Sequence, residues 1–159
     1  MNKLRILRLC VASIFSIFAL LSPIQLAATT QPSAVSETIV QDLNCLASVI
    51  YHEARGEPKI GQLAVAHVVI NRMESGRFPD SLCDVVYQKI SNVCQFSWVC
   101  QPAKRKEAPD LSAKEVAWEV LVKGVKDPSK GSLFFHSTQI NQTFNRKKTV
   151  VIGNHVFYK

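Results

Sequence analysis

Glu53 stands where a carboxyl can do acid–base chemistry. It closes an apolar run, Leu46-Ala-Ser-Val-Ile-Tyr-His52, and directly precedes the break Arg55-Gly-Glu-Pro58. Glycine accepts left-handed geometry and proline disfavours the helical conformation in the residue before it, so a helix through this run ends there. A carboxyl at such a junction sits where a core opens to a cleft. Withdrawal from water disfavours its charged form and raises its pKa, which suits a general acid at neutral pH. In glycoside cleavage that acid protonates the bridging oxygen as the sugar develops oxocarbenium character. The competing reading makes Glu53 an ion-pair partner of Arg55 or a plain helix-end residue. Glu57, four residues on and past a glycine, is the nearest candidate for a second carboxylate, and the equal alternative is a brace that fixes the turn through Arg55 or Arg72. Two-carboxylate glycosidases need a second acid at a defined separation, and no other carboxylate here has an equally convincing setting.

Histidine and cysteine offer the other chemistry. His52, His67, His136 and His155 are enough imidazole for a zinc site, but their spacings match no motif such as H-E-x-x-H. His67 and His155 read as structural. Beyond Cys10 the chain keeps Cys45, Cys83, Cys94 and Cys100, an even number that suggests two disulfides in an oxidising compartment. Three connectivities are open. Cys94 with Cys100, closing a short loop, and Cys45 with Cys83 are favoured. Because the cysteines form no paired C-x-x-C units, no metal or cofactor is expected.

The elements that must position these groups follow from periodicity. Leu43, Leu46, Ala47 and Ile50 recur at helical spacing and predict a helix from about residue 40 to 54. Ile60, Leu63, Ala64, His67, Ile70 and Met73 mark a second helix, so apolar on its other faces that it should be nearly enclosed. Asp80 or Ser81 is placed to cap a short helix through Tyr87. Residues 88–110 show no steady period and are long for a simple connection. Ser112-Ala-Lys-Glu115 has capping-box spacing before the stripe Val116, Ala117, Val120, Leu121 and Gly124. The last third turns to β-branched and aromatic residues: Leu133-Phe-Phe-His-Ser137, then Val150-Val-Ile152 and His155-Val-Phe-Tyr158 joined by a Gly153-Asn154 hairpin turn.

The first 28 residues read as a secretory signal. Lys3, Arg5 and Arg8 precede an apolar run from Leu9 to Leu21, and Ala27-Ala28 offer a cleavage site. The run falls short of the roughly 20 apolar residues that span a bilayer, so no stable membrane span is expected after cleavage, although retention as an uncleaved anchor is the alternative. Residues 29–38 read as a polar linker and 39–159 as one domain. Losing three cations and no acid takes the formal charge from +7 to +4, still basic enough for anionic surfaces. The clusters Lys104-Arg105-Lys106 and Arg146-Lys147-Lys148 lack the interleaved aromatics that stack on single-stranded bases, so nucleic acid is not expected as a partner.

Longer words in the sequence point further. Leu46-Ala-Ser-Val-Ile-Tyr-His-Glu-Ala-Arg-Gly-Glu-Pro58, followed by Gly61-Gln-Leu-Ala-Val-Ala-His-Val-Val-Ile-Asn-Arg72, strongly resembles the SleB and CwlJ family of cell-wall hydrolases. Phe78-Pro-Asp-Ser-Leu-Cys-Asp-Val-Val-Tyr87, Gln95-Phe-Ser-Trp98 and Ile152-Gly-Asn-His-Val-Phe-Tyr158 resemble its later segments, so the likeness covers roughly residues 43–158. It implies an α+β fold, with a lysozyme-like, lytic-transglycosylase-like helical core and a small antiparallel sheet. It also implies that Glu53 is the catalytic acid and acts twice, first towards the leaving sugar and then as base towards the 6-hydroxyl of muramic acid. Peptidoglycan glycan strands are then the substrate and the periplasm or cell envelope the place of action.

On that reading Gln95, Phe96, Ser97 and Trp98 are candidates for a sugar groove, the aromatic faces meeting sugar rings and the polar side chains meeting N-acetyl groups; core packing of Phe96 and Trp98 is the alternative. His136 is a candidate cleft residue, or a hydrogen-bonded packing residue. Two departures flank the groove: Gln101-Pro102 stands where many relatives have Asp-Gly, and Asn141-Gln-Thr-Phe-Asn145 where they show Pro and Trp. The rival functions are a zinc amidase, cutting between muramic acid and its peptide, and a non-catalytic wall-binding module.

Overall fold

A computed structural model describes residues 34–140 and 144–159. The expected signal segment, residues 1–28, lies outside them, as do residues 141–143 of the second departure. Helix α1 runs Ala34–Ala54, α2 Lys59–Glu74, α3 Leu82–Tyr87 and α5 Leu111–Leu121. The expected linker is corrected in its second half, since residues 34–38 are the first turns of α1. These turns are exposed from Ser36 to Gln41, and a helix solvated on every side leaves no apolar period to read. Glu37 in the first turn complements the helix dipole.

α1 packs against α5, α2 and α3, burying Leu46, Val49 and Ile50 completely. α2 is enclosed as its sequence implies: Ala64, Val65, Ala66, Val68 and Val69 have no exposure. Ser81 caps α3, its hydroxyl accepting from the Asp84 amide at 3.2 Å. α5 starts two residues earlier than the capping box predicts. Asp110, not Ser112, is the cap, its carboxylate accepting from the Ala113 amide at 2.8 Å; a carboxylate at that position also favours the helix dipole.

The unperiodic stretch consists of pieces too short to show a period. A hairpin of β1 (Lys89–Ile90) and β2 (Val93–Cys94) turns through Ser91 and Asn92, both in the left-handed region at φ 48° and 66°, the geometry of a twisted two-residue turn. A 3-10 turn, Ser97–Cys100, leads into α4, Pro102–Arg105. Cys94 and Cys100 are placed at disulfide-bonding distance across this segment, and Cys45 on α1 is similarly placed beside Cys83 on α3. Both are the favoured pairings.

β3 (Phe134–Ser137), β4 (Lys148–Ile152) and β5 (His155–Tyr158) form an antiparallel sheet in the order β3-β5-β4. β5 is central and buried along its whole length, and Gly153 opens the hairpin turn at φ 55°.

Candidate functional site

The last turn of α1 carries His52 and Glu53 side by side. Glu53 is partly buried, and burial raises its carboxyl above the ordinary range. Three groups oppose that rise: the Trp98 indole N–H, then the charges of Arg72 and Lys104. Trp98 Nε1 is enclosed and makes no well-formed hydrogen bond, so its donor is free to turn to the carboxyl. The indole is held in place by His52, whose ring stacks on it at 4.3 Å and 19°. Burial lowers the His52 pKa; Glu107 opposes this, while Arg55 and Lys104 reinforce it.

Arg72 is the group that the sequence reading undervalued. It is 5% exposed, donates from Nε to the Leu133 carbonyl at 2.8 Å, and lies among the rings of Phe78, Phe96 and Phe134 at 5.2 to 5.7 Å. Burial lowers its pKa to about 10, and the charge of Glu53 opposes the shift. A signal was available: Val65, Val68, Val69 and Arg72 share the i, i+3, i+4, i+7 stripe of an enclosed helix. A cation on that stripe must be paired or held among π faces.

The aromatic loop divides. Phe96 and Trp98 are each 3% exposed and belong to the core, which corrects the expectation that their faces meet sugar rings. In this arrangement Trp98 backs the carboxyl instead. Gln95 and Ser97 alternate with them and keep access to solvent. His136 lies on β3 with both ring nitrogens engaged, Nδ1 with the Ser137 carbonyl and Nε2 with the Tyr158 hydroxyl, each at 2.8 Å. The carbonyl only accepts, so Nδ1 holds a proton; in the neutral ring Tyr158 donates to Nε2. The ring stacks on Phe144 and Tyr158 at 4.8 and 5.3 Å, the packing alternative for this residue.

Glu57 braces a turn, but not through the arginines expected. Its carboxylate accepts from the Asn154 amide at 2.8 Å and from Asn154 Nδ2 at 3.1 Å, tying the start of α2 to the β4–β5 turn. His155 lies 3.9 Å away. Gly61 and Gly153 leave room for it; a Cβ on Gly153 would run into the Glu57 carboxylate. Arg55 instead faces Glu107 at 3.9 Å and the Tyr51 ring at 5.0 Å.

A further polar knot escaped the sequence reading. Asn71, beside Arg72, donates to Asp127 and to the Ser132 carbonyl, both at 3.1 Å. Burial raises the Asp127 carboxyl, but hydrogen bonds from Ser129, Gly131 and Asn71 outweigh it and hold the group below its usual range. This fixes the chain leading into β3. Among the described residues no group of three His, Cys, Asp or Glu side chains converges.

A model of the family described as Cell Wall Hydrolase matches residues 56–158. The chain belongs to this family. Among its members, the spore cortex-lytic enzyme of Halalkalibacterium halodurans is 31% identical over 133 residues, covering 82% of this chain and 37% of that protein. The spore cortex-lytic enzyme of Bacillus subtilis is 30% identical over 119 residues, covering 73% and 37%. The chain therefore spans well under half the length of these curated relatives. Two solved structures share the fold at 28% identity: the catalytic domain of the germination-specific lytic transglycosylase SleB from Bacillus anthracis, at a TM-score of 0.63 over 81% of this chain and 100% of that one, and the Bacillus cereus SleB catalytic domain, at 0.64 over 82% and 97%. The fold of this cell wall hydrolase is thus the lysozyme-like helical core with a small antiparallel sheet that the family resemblance implied. The family match opens at Gly56, three residues past Glu53, so the role of Glu53 rests on its geometry.

Proposed function

We propose that the protein is a lytic transglycosylase that cleaves peptidoglycan glycan strands, with Glu53 as its single acid and base. The observation that carries this is the setting of Glu53: a carboxyl raised by burial, faced by the Trp98 N–H, with the charges of Arg72 and Lys104 in reach. The protonated carboxyl gives its proton to the glycosidic oxygen, and the C1–O bond breaks with oxocarbenium character at C1. The resulting carboxylate is the form that the N–H and the two cations favour. It then takes the proton of the muramic acid 6-hydroxyl as that oxygen closes on C1, which restores the acid and consumes no water. The SleB structures, one of them described as a lytic transglycosylase, support this reading.

Gln95 and Ser97 supply polar contacts to the sugar, while Trp98 holds the acid. The chain acts after export, in the periplasm or cell envelope, where both cysteine pairs are oxidised. Thiol labelling of protein taken from the envelope should find no free cysteine, and four labelled cysteines would overturn that part. Mass spectrometry of digested peptidoglycan tests the chemistry. It should show 1,6-anhydro-muramic ends; reducing ends would replace the cyclising step by hydrolysis, and free peptides would establish the amidase instead.

A further inference from the structure

We propose that a basic pocket beside the Glu53 site binds the carboxylates of the peptides carried by the glycan, so that the protein prefers peptide-bearing strands. This deepens the glycan-cleavage reading and rests on it. The pocket, about 500 Å³, is lined by Lys89 of β1, Val99 and Cys100 of the 3-10 turn, and Pro102, Arg105 and Lys106. Three cations line it and no carboxylate does.

Its position follows from the turn that builds the catalytic end. Trp98 of that turn faces Glu53, and the next two residues, Val99 and Cys100, belong to the pocket. α4 packs on the turn, and the Cys94–Cys100 pair and a Gln101 Nε2 to Ser97 carbonyl bond of 3.3 Å hold its two ends. Arg105 is aimed by stacking over Tyr87 at 5.2 Å. Lys104 of the same helix is not part of the lining, but its charge acts on Glu53 and His52, so α4 borders the catalytic end as well as the pocket. Muramic acid bears its peptide on the sugar that reacts, so an acidic peptide leaves the cleft close to this wall. The exposed apolar ring of Pro102 among the cations suits a peptide rather than a bare phosphate.

The test compares soluble glycan strands of one length, freed by an endopeptidase, with the same strands stripped of peptides by an amidase. Dissociation constants are measured by titration of the full protein, and cleavage is followed separately. Exposed ion pairs contribute modestly each, so three together should give about a tenfold tighter hold on peptide-bearing strands. The triple change Lys89→Gln, Arg105→Gln and Lys106→Gln should bring that ratio near one, as should Lys89→Gln with Lys106→Gln in part, sparing the Tyr87 contact. An equal loss of charge at Lys114, Lys123 and Lys126 should leave the ratio as it is. Equal affinity of the unaltered protein for both strands, or an unchanged ratio in the triple variant, overturns the pocket. Preference without any glycan cleavage keeps the pocket and overturns the glycosidase; cleavage without preference does the reverse.

Discussion

Glu53 and Glu57 are four residues apart on either side of a glycine, and their surroundings assign them opposite work. The Glu57 carboxylate is satisfied: two donors of Asn154 hold it against the β4–β5 turn. The Glu53 carboxyl has lost water and gained only an imperfect substitute, a single indole N–H with two more distant cations. A carboxylate whose acceptors are filled by backbone and side-chain donors serves as a structural tie, whereas a buried carboxyl short of partners has its charged form disfavoured and its proton available for transfer. The same residue type is thus a rivet at one end of a short turn and, in the function proposed above, an acid at the other.

The largest effect separates them directly. Glu53→Gln keeps size and hydrogen-bonding capacity but cannot deliver a proton, so glycan cleavage should fall by about 10²- to 10⁴-fold with unchanged circular dichroism. Stability should move the other way. A carboxyl whose folded pKa is raised contributes stability that is full below its unfolded pKa and lost as pH rises through the folded one. The amide does not titrate, so above that window the variant should melt at or above the parent temperature. A folded Glu53→Gln protein with substantial turnover would remove the acid role.

Glu57→Gln should reverse the pattern. One of the two Asn154 donors loses its acceptor, a cost of roughly 1 to 3 kcal/mol at a nearly buried contact, measurable by urea unfolding. Turnover per folded molecule should persist. Gly153→Ala should cost stability too, since its Cβ and the Glu57 carboxylate need the same space. A Glu57→Gln protein of full stability and no activity would make the two carboxyls a catalytic pair.

Much of this was legible in the sequence because burial imposes a period. α2 and the β4–β5 hairpin were readable from apolar spacing and a Gly153-Asn154 turn, and both cysteine pairings were the favoured ones. The exposed first turns of α1 had no period to show. The segment from Lys89 to Arg105 was unreadable for a different reason: its strands are two residues long, and a disulfide does what a helix stripe does elsewhere. Phe96 and Trp98 were ambiguous because large aromatics bury well in a core or a groove. The burial of Trp98 and the packing of His52 on it show that the indole faces inward. Glu57's partner was missed because Asn154 is 97 residues away, and local spacing carries no record of it.

Trp98→Phe probes the quality of the Glu53 shell. The ring remains to stack on His52, but the N–H is lost. A hydrogen bond to a charged group contributes about 1.5 to 3 kcal/mol when well formed, and this one is not, so cleavage should drop by about tenfold. The alkaline limb of the pH–rate profile should also move up, because the N–H is the leading group that lowers the Glu53 pKa. A loss of rate with an unmoved limb would make the residue a packing group alone.

The smallest effect is expected from Lys104→Gln. Lys104 is exposed, so its charge reaches Glu53 through solvent and is screened by salt. It opposes the rise of the Glu53 pKa, and its removal lets burial act with less resistance. The protonated acid then survives to higher pH, and the alkaline limb of the cleavage profile should shift slightly upward with the maximal rate nearly kept. Salt provides the internal check. At about 1 M ionic strength the screening length falls to about 3 Å, and the unaltered protein should converge on the limb of the variant, while the variant itself should scarcely move. If the limb shifts downward, or if salt moves both proteins equally, Lys104 does not act on the carboxyl by its charge, and the difference between the two glutamates is set by Trp98 and Arg72 beneath it.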